Sequence, residues 1–330
     1  GVLALDMTPI YQRGYERPGP LQVAEENGLG VVRGRLTQLL PKQRAANVGL
    51  AKRRIDQAWN TYVERFGKPD VIHAHSLYPG AFVAKHLADR YGVPFVYTEH
   101  RTLGHMPIKS QVARRIEQRV SAAASSRIGV SRGHTEHLWE RFGGPAWEYL
   151  PNLLPKALEN SGMQGSSTSK SPGQYVFGHL SILDPVKRVD RLIDAFAELH
   201  QADPTVHLTI GGSGEMEDEL QAQVQRLGIA GAVTFLGQVP RDEVADFYRS
   251  IDSFVLPSKT EPMGVVQIEA LASGVPVIST RTWGGETVIE DGDGLLVDLD
   301  DLEELVAAMK AMRNWVETDS DRVARRQRSI

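Results

Sequence analysis

Two carboxylates eight residues apart, Glu261 and Glu269, bracket the stretch of residues 260–280 (TEPMGVVQIEALASGVPVIST). An apolar strand is expected just before it, ending at Pro257 and Ser258. Gly264 allows close backbone approach where a helix should begin. Such a helix start points unpaired N–H groups and partial positive charge outward, which suits a diphosphate. Glu261, in the loop above it, can meet a sugar hydroxyl, and Glu269, on the helix itself, a ribose diol. Lys187 lies near another expected helix start, where a lone lysine is more often a solvated surface group.

A second group lies in the first half of the chain. His73 and His75 end one expected strand (DVIHAH), and Glu99 and His100 end the next (YTEH). Carboxyl ends of parallel strands face the ligand crevice of an open α/β sheet. Zinc at His73, His75 and His100 would have the right ligand type but lacks a carboxylate partner at characteristic spacing. His73 is expected to point inward as a satisfied core group. The run Gly211-Gly212-Ser213-Gly214-Glu215 follows a strand and opens a helix. It reads either as a phosphate cradle or as a tight turn.

The elements that must hold these residues follow from hydrophobic periodicity. Strands are expected at 2–5, 70–74, 94–98 and 126–130, with a helix over 81–91 and a further helix capped by Ser131. The second half reads more regularly. Strands are expected at 175–180, 207–211, 233–237, 253–257, 275–280 and 295–297, and helices at 189–199, 215–227, 242–249, 265–272 and 302–312. This alternation predicts α/β architecture, two doubly wound Rossmann-like domains with a ligand cleft between their strand carboxyl ends. The expected division is 1–154, a Ser/Gly/Pro-rich linker at 155–174, and 175–330.

Composition narrows the setting. Hydrophobic residues make up 41% and charged residues 24%, the proportions of a soluble globular protein. No apolar run approaches the ~20 residues of a spanning helix, and no secretory leader is visible. Absence of cysteine excludes disulfides and thiolate chemistry and fits a reducing compartment. A cytoplasmic location is therefore expected. The first 155 residues carry 21 Lys and Arg against 13 Asp and Glu, and the remainder 16 against 28. Basic clusters at Lys42, Arg44, Lys52, Arg53 and Arg54, and at Arg114, Arg115 and Arg119, read as solvated helix faces or as attraction to an anionic membrane surface. No aromatic residues interleave with them, which argues against nucleic acid.

The stretch at 260–280 resembles the paired-glutamate motif of retaining GT-B glycosyltransferases of family four, E-P-F-G-x-x-x-x-E-A-x-x-x-G-x-P-V-x-x-T, with Met263 in place of Phe. Pro151-Asn152, residues 178–196 (GHLSILDPVKRVDRLIDAF), Gly284-Gly285-Glu286, residues 291–297 and Ser131 resemble further motifs of that family. The resemblance implies a retaining transfer of a sugar from UDP or GDP to a hydroxyl acceptor, in polysaccharide or glycolipid synthesis, with no metal or other cofactor. It assigns Glu261, His100 and Lys187 to catalysis. It assigns Gly178, His179, Lys187, Arg188, Gly212, Leu236, Met263, Gly264, Val265 and Glu269 to the donor, and His75, Ser76 and Glu99 to the acceptor side. His179 stands where the family has Arg, and Arg188 where it has Gly. The first strand, glycine loop and helix of the first domain have no counterpart, and the chain is expected to be trimmed at both termini. Two alternatives stand beside the transferase: a nucleotide-sugar epimerase of the same fold, and a nucleotide-sugar-binding protein without turnover.

Overall fold

The computed structural model describes residues 1–102, 110–154, 158, 173–315, 321, 323–325 and 327. Most of the expected linker at 155–174 lies outside the described residues. The chain forms two compact units. One comprises residues 1–130 and 135–150, the other residues 131–134 and 151–330.

The first unit holds two sheets. Strands β1 (Val2–Pro9), β2 (Gln22–Glu26) and β3 (Leu29–Gln38) form a sheet in the order β1-β3-β2, with β1 parallel and β2 antiparallel to β3. Asn27 and Gly28, both at positive φ (52° and 76°), make the two-residue turn of the β2–β3 hairpin, the chemistry such a turn requires. The sequence pattern had pointed to strand–helix alternation here, and the hairpin replaces it. Helix α1 (Arg44–Phe66) follows, burying Val48, Ala51, Ile55, Ala58 and Trp59 at helical spacing.

The second sheet is parallel in the order β4-β5-β6-β7, from β4 (Ile72–His75), β5 (Phe95–Glu99), β6 (Ser126–Gly129) and β7 (Glu148–Tyr149). Helices α2 (Phe82–Tyr91), α3 (Gln111–Ala122) and α4 (Arg132–Phe142) connect its strands. Gly92 ends α2 in the left-handed conformation, as its place in the sequence suggested. Ser131 Oγ accepts from the His134 N–H at 3.3 Å and caps α4. One core, from Leu36 and Ile55 to Leu77, Phe95, Tyr97 and Trp147, underlies both sheets.

The second unit is a six-stranded parallel sheet. Its strands are β8 (Tyr175–Leu180), β9 (Val206–Gly211), β10 (Val233–Gly237), β11 (Ser253–Leu256), β12 (Val277–Thr280) and β13 (Gly294–Val297). They run β10-β9-β8-β11-β12-β13 across the sheet. Counted from its own first strand this is 3-2-1-4-5-6, the doubly wound dinucleotide-fold order. The chain reverses direction across the sheet between β8 and β11, so the loops leaving those two strands emerge side by side.

Six helices accompany these strands among the described residues: α5 (Val189–Ala202), α6 (Glu217–Arg226), α7 (Val244–Ser250), α8 (Val265–Ala272), α9 (Trp283–Val288) and α10 (Leu302–Arg313). Strand side chains alternate between two cores. Phe177, Val255 and Ile278 pack with α5, α6 and α10, while Val176, Phe254 and Val277 pack with α7 and α8. Helix α9 had no counterpart in the periodicity. It is six residues long and starts at a Trp-Gly-Gly run, too short and glycine-rich to signal a helix.

His179 pins the reversal point. It is fully buried on β8, with Nδ1 2.8 Å from the Val255 carbonyl oxygen on β11 and Nε2 2.7 Å from Ser181 Oγ. Nδ1 must donate to the carbonyl, so in the neutral ring Nε2 accepts from the serine hydroxyl. Burial pushes its pKa down to about 4, below the 6.5 of an exposed histidine. The folded state thus binds this proton less readily than the unfolded chain, and stability is lost as pH falls from about 6.5 towards 4. Denaturant titrations at pH 7.5 and 4.5 are expected to show His179→Asn losing less stability on acidification than the parent, by on the order of 2 kcal/mol. Equal pH slopes would show that the ring is not held neutral. Ile193, with no exposed surface on α5, is expected to cost about 2–5 kcal/mol on Ile193→Ala, read as a lower denaturant midpoint.

Candidate functional site

The loops leaving β8 and β11 bring together the groups that the sequence set 74 residues apart. Asp184 accepts from the backbone N–H groups of Val186 (2.9 Å) and Lys187 (3.2 Å), folding residues 185–187 into a single tight turn. The Lys259 N–H donates to the Val186 carbonyl at 2.7 Å and ties this turn to the β11 loop. Lys187 Nζ then lies 2.6 Å from Glu261 Oε2, with the two side chains 22% and 12% exposed. The pair is sheltered from solvent, and a diphosphate could replace the carboxylate as partner of the lysine.

Gly264 precedes the first residue of α8 in the left-handed conformation (φ 71°, ψ 67°). A Cβ there would overlap the Gln267 side chain, so the turn into α8 requires glycine. Glu261 Cγ lies beside this turn, 2.9 Å from where a Cβ on Gly264 would stand. The Glu261 carbonyl accepts from Gly284 at 2.9 Å, and Gly284 lies so close to the Met263 backbone that a side chain would not fit. Met263 is buried against that glycine and Val265 is half-buried at the start of the helix. Glu269, one turn further along α8, receives Tyr248 Oη at 3.1 Å on Oε2, and burial pushes its carboxyl above the ordinary range.

Three residues that the sequence reading passed over belong to this segment. Ser258 Oγ, Thr260 Oγ1 and Gln267 Oε1 are buried side-chain atoms with no hydrogen-bond partner among the described residues. Buried orphan polar atoms are rare, and three in ten residues around Glu261 mark a place where polar ligand atoms are wanted. For Ser258 and Thr260 the only sequence signal was position, just beyond the carboxyl end of a buried apolar strand, while Gln267 lies in the first turn of α8.

The remaining expected donor residues divide. Gly212 (φ 122°) donates its N–H to the Gly237 carbonyl at 2.7 Å and presses on the Ser181 backbone. Gly214 presses equally on Leu183. The glycine cluster therefore zips the β8 and β9 loops together as a tight turn. Gly178 faces Ile251 and Phe247, where a side chain would collide. Leu236 is 48% exposed on β10. His179 has no exposed surface and both its ring nitrogens are engaged inside the unit. Arg188, itself left-handed (φ 51°), does not join Lys187. Its guanidinium bonds Asp300 and lies 3.5 Å from Asp190, at a shallow recess that Arg191, Thr280 and Asp298 also line.

In the first unit the histidines form a stack. His73 and His75 have ring centroids 4.6 Å apart, His75 and His100 5.2 Å. His75 Nδ1 meets His100 Nε2 at 3.0 Å, so one ring donates to the other. Burial pushes the His73 and His100 pKa values down, and the His75 ring adds to both shifts. His73 is exposed rather than inward, correcting the expectation. It sits on the edge strand of its sheet, on the same face as His75, and bonds Thr98 Oγ1 at 2.8 Å. The rings stack face to face instead of converging their nitrogens on one point, a geometry for sharing a proton rather than for ligating zinc.

Glu99 is fully buried. Oε2 accepts from the Leu77 N–H at 2.7 Å, and Oε1 from the His100 and Arg101 N–H groups at 3.1 and 3.0 Å. Burial raises its pKa and these three bonds pull it back. Glu99 thus fastens the β4 loop, where Ser76 is left-handed (φ 64°), to the end of β5 beside His100.

Comparison with known proteins agrees with both halves. The family described as glycosyl transferases group 1 matches residues 166–326, and the glycosyl transferase 4-like domain matches residues 3–152. The D-inositol 3-phosphate glycosyltransferase of Frankia alni is 33% identical over 255 residues, 69% of this chain and 61% of that protein. The glycogen synthase of Mycobacterium tuberculosis is 27% identical over 274 residues, 81% of this chain and 64% of that protein. The chain spans 55 to 61% of the length of the first curated relatives it matches. Among solved structures, a sucrose-phosphate synthase of Thermosynechococcus elongatus aligns with a TM-score of 0.72 at 22% identity, covering 93% of this chain and 80% of that one. Anabaena HepE in complex with UDP-glucose aligns with a TM-score of 0.70 at 23% identity, covering 92% and 81%. With matches running through both units, a 3-2-1-4-5-6 sheet and the paired glutamates at its reversal point, the chain belongs to the group 1 glycosyltransferases of the GT-B fold.

Proposed function

We propose that the protein transfers a hexose-type sugar from UDP or GDP to a hydroxyl acceptor with retention at the anomeric carbon. The observation that carries this reading is the sheltered Lys187–Glu261 pair, 2.6 Å apart, beside the start of α8. Departure of the diphosphate is the difficult step. Lys187 and the first N–H groups of α8 stabilise the charge that develops on it. In the free protein Glu261 occupies the lysine. When the donor binds, the phosphate takes that place and the carboxylate is released to accept hydrogen bonds from the sugar hydroxyls. No partnered nucleophile accompanies this pair in the site as described, which favours same-face attack, with the leaving phosphate accepting the acceptor's proton. Glu261 then acts by positioning.

Glu269 takes the ribose diol in this reading, and Leu236 lies beside the base. Met263, Gly264 and Val265 line the diphosphate end. His179 and Arg188 contribute indirectly, the first by pinning β8 to β11 and the second through Asp300. His100 and His75, with Ser76, form the sugar and acceptor side, where donors from the imidazoles meet hydroxyls. Lys42, Lys52, Arg53, Arg114, Arg115 and Arg119 are all exposed on the first unit and would suit an anionic lipid surface or lipid-linked phosphate near the acceptor. Arg44 instead pairs with the buried Glu117 at 2.7 Å.

Three measurements test this. A thermal-shift panel of UDP- and GDP-sugars is expected to find one donor that raises the melting temperature. A phospholipid or sugar acceptor should then raise nucleotide release, and NMR of the product should show the donor's anomeric configuration. Release of an epimerised sugar without acceptor would instead favour an epimerase. Lys187→Met and Glu261→Gln are each expected to lower turnover about 10²–10³-fold. Glu261→Gln should bind the free nucleoside diphosphate as tightly as the parent. Glu269→Ala is expected to weaken that binding by about tenfold or more, the loss of a charge-assisted hydrogen bond. Parent-like behaviour of all three variants would refute the site.

A further inference from the structure

Two imidazoles that meet through one nitrogen each hold a single hydrogen between them. His75 Nδ1 and His100 Nε2 are 3.0 Å apart, so one carries that hydrogen and the other is bare. The contact therefore couples the two outer nitrogens, Nε2 of His75 and Nδ1 of His100. If His75 donates, neutral His100 has its own hydrogen on Nδ1. If His100 donates, its Nδ1 is bare and can only accept.

Exposure separates the two arrangements. His75 is exposed and His100 half-buried, so an added proton costs less on His75. A doubly protonated His75 can only donate across the contact, and His100 Nε2 must then be bare. The opposite arrangement would break whenever His75 takes a proton, because two N–H groups would face each other. Burial, and after it the neighbouring His75 and His73, hold the His100 pKa below its ordinary value, which agrees with a neutral His100. The nearby groups do not compete for the shared hydrogen. His73 Nε2 is turned to Thr98 Oγ1 at 2.8 Å, and the Glu99 carboxyl accepts from the Leu77, His100 and Arg101 N–H groups.

We propose that His75 is a positioning residue, which donates Nδ1–H to His100 Nε2 and so keeps the hydrogen of neutral His100 on Nδ1, where it can be given to a sugar hydroxyl. This rests on the reading above, in which His100 belongs to the sugar side. His75 itself exchanges no bond with the sugar in this role; it fixes which nitrogen of His100 donates.

Long-range proton–nitrogen NMR of the full chain at pH 8, above the ordinary imidazole range, reads the tautomer. The samples are the parent, His75→Leu and His75→Asp, with the His100 signals assigned through His100→Gln. His100 is expected as the Nδ1–H tautomer in the parent. In His75→Leu it should shift towards the Nε2–H form that an unconstrained imidazole prefers. In His75→Asp, whose carboxylate can only accept, it should be Nε2–H. Turnover of His75→Asp is expected to fall by about 10²-fold, the loss of one aimed donor, with nucleoside diphosphate binding as in the parent. An Nε2–H His100 in the parent, or the same tautomer in the parent and His75→Leu, overturns the inference and leaves the donor reading standing. Parent-like turnover of His75→Asp with the tautomer reversed overturns it as well. Failure of the parent to bind any UDP- or GDP-sugar removes the donor reading, and the positioning role with it.

Discussion

A parallel sheet that reverses its winding leaves one place where two neighbouring strands send their chains in opposite directions, and the second unit is organised around that place. The loops after β8 and β11 emerge beside each other there with no helix to separate them. Several unusual features of the unit gather at this point. His179 bridges the two strands, the Lys259 N–H ties the two loops, and Lys187 and Glu261 meet between them. Burying a cation and a carboxylate is costly unless each finds the other. The pairing therefore holds the two loops against each other.

The same constraint explains the glycines. Gly212 and Gly214 bring the β9 loop against the β8 loop, Gly264 turns the chain into α8, and Gly284 lets α9 approach Met263. Gly212, Gly214 and Gly284 stand where backbone meets backbone, Gly264 stands against the Gln267 side chain, and Gly212 and Gly264 need positive φ. They serve close packing of the loops around the Lys187–Glu261 pair. In the first unit the work is done by a carboxylate instead. Buried Glu99 gathers three N–H groups and so sets the β4 and β5 ends, with His75 and His100, in register.

The two units differ in how far periodicity revealed them. Strands β8 and β10 and helix α8 have the limits the sequence suggested, because apolar runs alternate there with helical spacing and each run is bounded by turn residues. In the first 66 residues only the strand at 2–5, which falls within β1, was legible. Asn27-Gly28 marks a hairpin, yet the first of its two strands, β2, is exposed throughout. Helix α1 carries so many basic residues that its buried stripe of Val48, Ala51, Ile55 and Trp59 reads first as a charge cluster. A pattern diluted by charge loses its period to the eye, although packing against β3 still enforces it.

What the sequence determined by itself was chemical type and local spacing: a glutamate at each side of a helix start, a glycine that turns into it, and the alternation that makes a doubly wound sheet. These are properties of neighbours along the chain, where covalent geometry does the positioning. Tertiary structure alone decided partners. It took Arg188 away to Asp190 and Asp300, sealed His179 into the core, stacked His73 with His75 and His100 on an open edge, and set Tyr248 against Glu269. Those outcomes depend on which loops the strand order makes adjacent and on the low polarity of the space between them, and neither is written in the spacing of residues along one strand or helix.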